Sequence, residues 1–172
     1  MTRVKPLLVC GCLIVAGFFS SGTARAADIR GTIATTLTIT EDSQLVGDVT
    51  CTMTGAPCIT FGASGVTLKL NNFSMTGQAN PTTGCSGGQT VNEIGILING
   101  LRGNIVQGPG VVQRFRAHGI QISGGSSRVL VTVVTVSTNC LSGIFMSASS
   151  DNEVEGNVSV RNGNATSPCG GI

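Results

Sequence analysis

The chain has 172 residues with 25 glycines, neither tryptophan nor tyrosine, and a formal net charge of +2. Gly, Ser, Thr, Asn, Val and Ile dominate, whereas Lys, Glu and Leu are sparse and no stretch shows the apolar period of a helix. The composition excludes a helical bundle and indicates an all-β protein rich in turns. It contains no basic patch, which excludes a nucleic-acid-binding surface.

The first 26 residues have the organisation of a secretory signal peptide. Arg3 and Lys5 supply positive charge, residues 7–19 form an apolar stretch too short for a stable membrane span, and residues 23–26 supply the small-x-small pattern of a cleavage site. We therefore expect export to the periplasm or the cell exterior. The mature domain, residues 27–172, then has seven basic and eight acidic residues and is close to neutral.

The dipeptide Gly-Ile recurs along the second half of the chain. It begins at Gly95, Gly119 and Gly143, at intervals of 24 residues, and once more at Gly171. A fixed period of this length predicts a solenoid, whose repeats bury their apolar faces by stacking on one another. Three short strands and three turns per period fit one turn of a single-stranded parallel β-helix. The glycines are expected where the backbone turns tightly or takes a positive φ.

The period also predicts which side chains align in neighbouring strands. We expect a continuous core built from aligned sets, with Asn at the corners and stacked Asn side chains bonding one repeat to the next. Residues 80–92 lack apolar alternation and are predicted to be a loop projecting between repeats. The aligned sets are Ile96/Ile120/Ile144, Ile98/Ile122/Met146, Val106/Leu130/Val154 and Val112/Val136/Val160.

Several segments together resemble a known group of proteins. These are residues 35–42, Cys51, residues 65–71 and residues 151–158, combined with the repeated Gly-Ile units. They resemble the secreted right-handed parallel β-helix proteins of the pectate-lyase-like superfamily, in particular its NosD-like repeat group. The resemblance covers nearly the whole mature chain and implies a right-handed parallel β-helix. It does not specify a chemistry, because the superfamily includes lyases, hydrolases, epimerases and adhesins.

Five cysteines follow the predicted signal peptide, and an exported chain is able to form disulfides. Cys51 and Cys58 bracket a short segment and are candidates to close a small loop. Cys140 and Cys169 each precede a Gly-Ile unit and are candidates for a bond between adjacent repeats. The odd count leaves one thiol, for which Cys85 is the candidate. The spacings match no zinc-binding pattern.

Asp151, Glu153 and Glu155 are the densest carboxylates of the sequence. On an extended segment they project from one face, where they are candidates to hold Ca²⁺ or to catalyse glycoside hydrolysis. Arg128 lies one repeat earlier and is a candidate partner. Calcium-dependent polysaccharide lyases of this fold use an acidic cluster together with a basic residue. The alternative interpretation is an ordinary charged outer face.

His118 is the single histidine and a second catalytic candidate. Residues 117–120, Ala-His-Gly-Ile, are similar to a strand start in polygalacturonases, although the aspartate pair and the Arg-x-Lys motif of those enzymes are absent. The alternative is a turn residue before the strand. Arg114 and Arg116 are candidates to contact an acidic sugar, or else are solvated.

The sequence lacks Trp and Tyr, the usual aromatic platforms for sugars. Its phenylalanines fall in strand patterns and are expected in the core. They are Phe61, Phe73, Phe115 and Phe145.

These observations favour a non-catalytic exported module, without a cofactor, that interacts with polysaccharides or other cell-surface components. One alternative is a polysaccharide lyase or glycoside hydrolase acting on acidic glycans, with Ca²⁺ in the lyase case. Another is a periplasmic accessory protein in metal-centre maturation. Because the sequence stops two residues into a new Gly-Ile repeat, we also expect the domain to be C-terminally incomplete, or its open end to pair with another chain.

Overall fold

The computed structural model describes residues 26–79 and 92–163, and all regular structure there is β-strand. The predicted signal peptide, apart from Ala26, and the predicted loop, apart from Asn92, lie outside the described residues. The strands are β1 (Ala27–Ile33), β2 (Leu37–Ile39), β3 (Ser43–Cys51), β4 (Ile59–Phe61), β5 (Thr67–Lys69), β6 (Ser74–Thr76), β7 (Ile96–Asn99), β8 (Ile105–Gln113), β9 (Ile120–Ser123), β10 (Leu130–Ser137), β11 (Ile144–Met146), β12 (Glu153–Glu155) and β13 (Val158–Val160).

The strands form two sheets in which every pair of neighbours is parallel. The first sheet has the order β1-β3-β5-β8-β10-β12, with β6 beside β3 and β8 and β13 beside β10. The second has the order β2-β4-β7-β9-β11. The chain passes back and forth between the two sheets, so neighbours within a sheet come from successive repeats. The all-β architecture with parallel strands is as predicted and is compatible with a solenoid.

The second sheet has the register that the Gly-Ile period predicts. Ile120 aligns with Ile96 and Ile144, and Ile122 aligns with Ile98 and Met146. These columns are confirmed. Their side chains point between the sheets, where all but Met146 are buried.

In the first sheet, the register that joins the starts of β8 and β10 to β12 differs from the predicted one. Val106 and Val154 align with Val131, and not with Leu130, which instead pairs with Ile105 and Glu153. The predicted Val106/Leu130/Val154 column is therefore wrong. The reason is that the spacing between aligned residues on this sheet varies around the mean period, since the number of residues in the intervening bends is not constant.

The register that joins the ends of β8 and β10 to β13 also differs from the predicted one. Val136 aligns with Val112 as predicted, but its neighbour on β13 is Ser159 and not Val160. Ser159 therefore faces inward, while Val158 and Val160 face outward and are 54% and 43% exposed. The predicted Val112/Val136/Val160 column is wrong at its last member.

The core lies between the two sheets and is built almost entirely from β-branched and other aliphatic side chains. Burying one such side chain contributes about 1.5 to 3 kcal/mol. The largest fully buried side chains are Leu45, Ile59, Leu68, Leu70, Met75, Ile96, Ile98, Ile120, Ile122, Ile144, Val49 and Val106.

The glycines of the Gly-Ile units are required for packing and not for a positive φ. A Cβ added at Gly95 would lie 2.5 Å from the carbonyl oxygen of Gly119 and 2.8 Å from Val112 Cγ1. A Cβ at Gly143 would lie 2.6 Å from Val136 Cγ2. Neither glycine has a positive φ. The period therefore marks the positions where the second sheet approaches the first too closely for any side chain.

Five of the described corners share a two-residue unit, in which a residue with positive φ is followed by a buried or half-buried asparagine. The positive-φ residues have φ between 53° and 69°, a region that residues other than glycine rarely enter. The units are Gly103-Asn104, Thr138-Asn139, Asp151-Asn152, Gly156-Asn157 and Arg161-Asn162.

The asparagine of each such unit bonds to the backbone of the preceding repeat. Asn139 Oδ1 accepts a hydrogen bond from the backbone N–H of Phe115 at 3.0 Å, and its Nδ2 donates to Val112 O at 3.3 Å. Asn162 repeats the pattern one repeat later: its Oδ1 accepts from Asn139 N at 3.0 Å and from Asn139 Nδ2 at 2.9 Å. Because the backbone leaves the parallel ladder at a left-handed residue, these amides satisfy groups that would otherwise be buried without partners. The predicted bonding between stacked Asn residues is confirmed.

Replacing the buried Asn139 by aspartate should destabilise the fold strongly. An Oδ2 atom in place of Nδ2 would face the acceptor oxygens of Val112 and Asn162, so we expect Asn139→Asp to lower the free energy of unfolding by at least about 2 kcal/mol. Chemical denaturation measures this. The control is Asn72→Asp, an exposed asparagine with positive φ whose side chain makes no hydrogen bond within the described residues, and it should change stability by less than about 0.5 kcal/mol. Equal losses in the two variants would contradict the role of the amide.

Val133 is a strained position, because a β-branched residue here takes φ 58° while its side chain is 51% exposed. Asparagine tolerates this region, so Val133→Asn should raise the free energy of unfolding by about 1 kcal/mol. Val158→Asn is the control, since Val158 is equally exposed but lies in a strand, and it should give no gain. Thermal or denaturant unfolding of both variants tests this, and a loss of stability in Val133→Asn would contradict it.

Candidate functional site

Two of the three predicted carboxylates share a strand face. Glu153 and Glu155 lie on β12, exposed on the outer face of the first sheet beside Leu130 and Thr132 of β10. Asp151 precedes this strand in a left-handed turn with φ 54°, so it does not continue their row. The predicted spacing of three carboxylates along one extended segment therefore holds only for the two glutamates.

Arg128 occupies the same turn one repeat earlier. Its φ is 55°, its neighbour Ser127 pairs with Ser150, and its backbone N–H donates to Ser150 O at 3.3 Å. Within residues 92–163 no ion pair joins Arg128 to the three carboxylates. Among all the described residues, no group of three or more His, Cys, Asp or Glu side chains is placed to hold a metal ion. Calcium binding at Asp151 and its neighbours stays a prediction.

His118 lies half-buried immediately before β9, on the second sheet. Its Nδ1 accepts a hydrogen bond from the backbone N–H of Ser142 at 3.2 Å, so the proton of the neutral ring is on Nε2. The ring stacks on Phe145, with centroids 4.3 Å apart and planes 9° from parallel. Burial lowers the pKa of His118 from 6.5 to about 4, because desolvation disfavours the charged ring.

The structure does not bring the predicted catalytic residues together. His118 lies two residues before β9 of the second sheet, whereas Glu153 and Glu155 lie on the outer face of the first. His118 is held by Ser142 and Phe145 rather than by a carboxylate. Of the predicted catalytic residues, the structure places only Glu153 and Glu155 on one strand face, and catalysis by these two carboxylates stays a prediction.

The phenylalanines divide between core and surface. Phe61 and Phe115 are buried and Phe73 packs against the core, as expected. Phe145 instead faces outward, half-buried, in register with Gln121. The expectation that Phe145 lies in the core is wrong, because its inward neighbours are Ile144 and Met146.

A buried ion pair was not foreseen from the sequence. Glu93 is only 4% exposed, and both its oxygens bond Arg116: Nε reaches Oε2, and Nη2 reaches Oε1 at 2.6 Å. The backbone N–H of Gly55 also donates to Oε1 at 2.9 Å. The two residues are 23 positions apart in the sequence, close to one repeat, and this spacing is the sequence feature that could have predicted the pair.

The neighbouring arginine is also engaged with the chain itself. Arg114 Nε donates to the carbonyl oxygen of Ala79 at 2.8 Å, and Phe115 between the two arginines is buried. Arg114 has φ 59°, so the tripeptide is a bend and not a strand. Both arginines thus bond within the chain, Arg116 to Glu93 and Arg114 to Ala79 O, and their contact with acidic sugars stays a prediction.

Two of the cysteine predictions concern described residues. Cys51 and Cys58 form the predicted disulfide, closing the segment that contains Gly55. Cys140 is buried and also disulfide-bonded. Cys85 and Cys169 lie outside the described residues.

A cavity of about 320 Å³ lies at the opposite end of the sheets from β12, against the edge strands β1 and β2. Its apolar wall includes Ile29, Ile33 and Ile39, and its polar lining includes Arg30 and Glu41. None of the predicted catalytic residues lines it. Its lining comes from residues 27–41 and from Ser43 at the start of β3.

The outer surface of the second sheet is uncharged. None of its five strands contains Asp, Glu, Lys or Arg, whereas strands of the first sheet carry Asp28, Arg30, Asp48, Lys69, Glu153 and Glu155. We call the outward residues of the second sheet the uncharged face. They are Thr38, Thr60, Leu97, Asn99, Gln121, Ser123 and Phe145.

Hydrogen bonds connect the polar members of the uncharged face across strands. Gln121 Nε2 donates to Ser123 Oγ at 3.3 Å, and Ser123 Oγ donates to Asn99 Oδ1 at 3.2 Å. Each side chain keeps further donors or acceptors for an external group. The uncharged face is therefore an ordered row of hydroxyl and amide groups that ends at the ring of Phe145.

No protein-family model matches the chain, and neither a curated protein nor a solved structure matches it. Within residues 26–79 and 92–163, no helix is long and apolar enough to cross a membrane.

The shifted pKa of His118 predicts an acid-sensitive stability. The unfolded chain takes up the proton near pH 6.5 and the folded chain only near pH 4, so stability is lost as the pH falls through this window. After discounting for the half-exposed ring, we expect a loss of about 1 to 2 kcal/mol. His118→Asn, whose Oδ1 can accept from Ser142, should lack this part of the pH dependence. Denaturant unfolding at pH 7 and pH 4.5 measures the difference, and identical pH profiles would contradict it.

Proposed function

We propose that this chain is an exported, right-handed parallel β-helix that acts as a non-catalytic module contacting polysaccharides or other cell-surface components. The parallel pairing of successive repeats and the resemblance to the pectate-lyase-like superfamily support the β-helix. The right hand follows from a general rule, since about 98% of crossovers between parallel strands of one sheet are right-handed. The uncharged face is the proposed contact surface.

The observation that carries the proposal is the unequal distribution of charge between the two sheets. A solvated sheet surface normally carries charged side chains, as the first sheet does with Lys69 and Glu155. The uncharged face instead presents hydroxyls, amides, Leu97 and the ring of Phe145 in aligned columns. A flat surface of this composition suits contact with an extended ligand.

The placement of the ionisable groups supports a role without catalysis. His118 precedes β9 of the second sheet, and the glutamates of β12 are on the first sheet. The carboxylate of Glu93 is occupied by Arg116 and by Gly55. A lyase or hydrolase would need an acid and a base converging on one bond.

Two features support export. The N-terminal sequence has the pattern of a signal peptide. The disulfide between Cys51 and Cys58, and the bonded state of Cys140, suit an oxidising compartment.

Retention on immobilised polysaccharides and isolated cell walls tests the proposal. The full chain, processed in an oxidising compartment, should be retained on at least one of them without releasing products. Thr60→Glu places a charge on the uncharged face and should weaken retention by roughly tenfold or more, because the carboxylate would have to be desolvated. Thr132→Glu is the matched control on the outer face of the first sheet, and should bind like the unmodified chain.

Other outcomes separate the alternatives. Calcium-dependent release of unsaturated products, abolished by Asp151→Ala, would replace the proposal with a lyase. Stoichiometric copper uptake that survives dialysis would support accessory work in metal-centre maturation. Absence of retention on every polymer and cell wall would refute the binding proposal.

A further inference from the structure

We infer that the uncharged face binds a neutral polysaccharide lying across its strands, with a sugar ring packed against Phe145 and its stacking partner His118. This inference rests on the proposed function and specifies its ligand class.

The charges around the uncharged face argue against an acidic glycan. Acidic sugars are held by arginine or lysine, which pair with each carboxylate. The strands of the second sheet contain neither residue. Of the two arginines in the bend before β9, Arg116 pairs with Glu93 and Arg114 Nε donates to Ala79 O. The bends after β7 and β9 carry Arg102 and Arg128, which lie beyond the ends of these strands and outside the uncharged face; Arg102 Nε donates to Ser127 Oγ. A neutral sugar needs no counter-charge.

The polar groups present match hydroxyl groups. Asn99 Oδ1 and the Ser123 hydroxyl are joined to Gln121 in one hydrogen-bonded row, which fixes their orientations. The Nδ2 group of exposed Asn99 and the Oε1 atom of Gln121 stay available as donor and acceptor. A sugar hydroxyl, which both donates and accepts, is suited to such a pair.

The aromatic pair supplies the apolar contact that a sugar ring requires. Phe145 is half-exposed, and its plane is held by the parallel ring of His118 at 4.3 Å. His118 stays neutral well below neutral pH, since burial lowers its pKa to about 4. Contact with this pair is therefore dispersive and not ionic, as expected for the C–H face of a neutral sugar.

The alignment of the columns sets the direction of the ligand. Thr60, Leu97, Gln121 and Phe145 follow one another across the strands in register. Neighbouring strands are about 4.8 Å apart. A linear polymer that crosses the strands meets one side chain of this row on each strand, whereas one that follows a single strand meets only the outward residues of that strand.

The test compares neutral with acidic polymers. Cellulose, xylan, mannan and galactan are set beside polygalacturonate, alginate and carboxymethylcellulose, in affinity electrophoresis or on columns. We expect retention by at least one neutral polymer, unchanged between about 0.1 M and about 1 M salt and between pH 7.5 and pH 5.5. Retention by acidic polymers alone, weakened by salt, would overturn the inference and leave the proposed function standing. Absence of retention by any polymer or cell wall would refute both.

Variants test the aromatic contact. Phe145→Leu should weaken neutral binding roughly tenfold, and Phe145→Tyr should preserve it. Phe73→Leu removes another half-buried ring, immediately before β6 of the first sheet, and should bind normally. Gln121→Lys keeps both rings and should shift binding from neutral towards acidic polymers, which covers the case in which Phe145→Leu unfolds. Neutral binding equal to that of the unmodified chain in both Phe145→Leu and Gln121→Lys would overturn the inference.

Discussion

The structure depends on how each repeat turns its corners. At a corner the backbone enters the left-handed region and leaves the parallel hydrogen-bonded ladder, which exposes an N–H and a C=O of the neighbouring repeat to an apolar interior. At several described corners the amide of an asparagine in the next repeat supplies one acceptor and one donor to those two groups, as Asn139 does for Phe115 N and Val112 O. Asn157 does the same for Val134 N and Val131 O. Since a buried unpaired backbone group costs about 1 to 3 kcal/mol, these amides remove that cost at the corners where they bond both groups.

Close packing between the sheets is the second constraint and follows from the first. Sharp corners bring the starts of β7 and β11 against the first sheet, where a Cβ at Gly95 or Gly143 would have no room. The branched side chains that follow them then stack in columns, such as Ile96 on Ile120 on Ile144. Interiors packed at this density tolerate no shift of register, because a slip of one residue would move an entire column from the core to the surface.

The same geometry separates the ionisable groups from the uncharged face. Glu93 would be a costly charge at its depth, and the guanidinium of Arg116 together with Gly55 N–H offsets that cost. His118 adds no charge beside the uncharged face, because burial keeps its ring neutral and the backbone N–H of Ser142 donates to its Nδ1. On the outer face of the first sheet, the backbone N–H and the hydroxyl of Ser74 hold the pKa of Asp48 below its usual range, so that carboxylate stays charged. The two sheets consequently present surfaces of different chemistry to a ligand.

The sequence by itself determined the all-β class, the parallel repeats, the Ile columns of the second sheet and the Cys51–Cys58 bond, because each rests on a period or on short spacing. It did not determine the register of the first sheet. There the bends differ in length by single residues, and Val131 and Ser159 take the places predicted for Leu130 and Val160. Nor did it predict that His118 and the glutamates of β12 lie at different sheets, or that Glu93 bonds Arg116. Those relations depend on which sheet a residue reaches and which way its side chain points. One additional residue in a bend reverses that direction, so only the folded chain decides which groups meet.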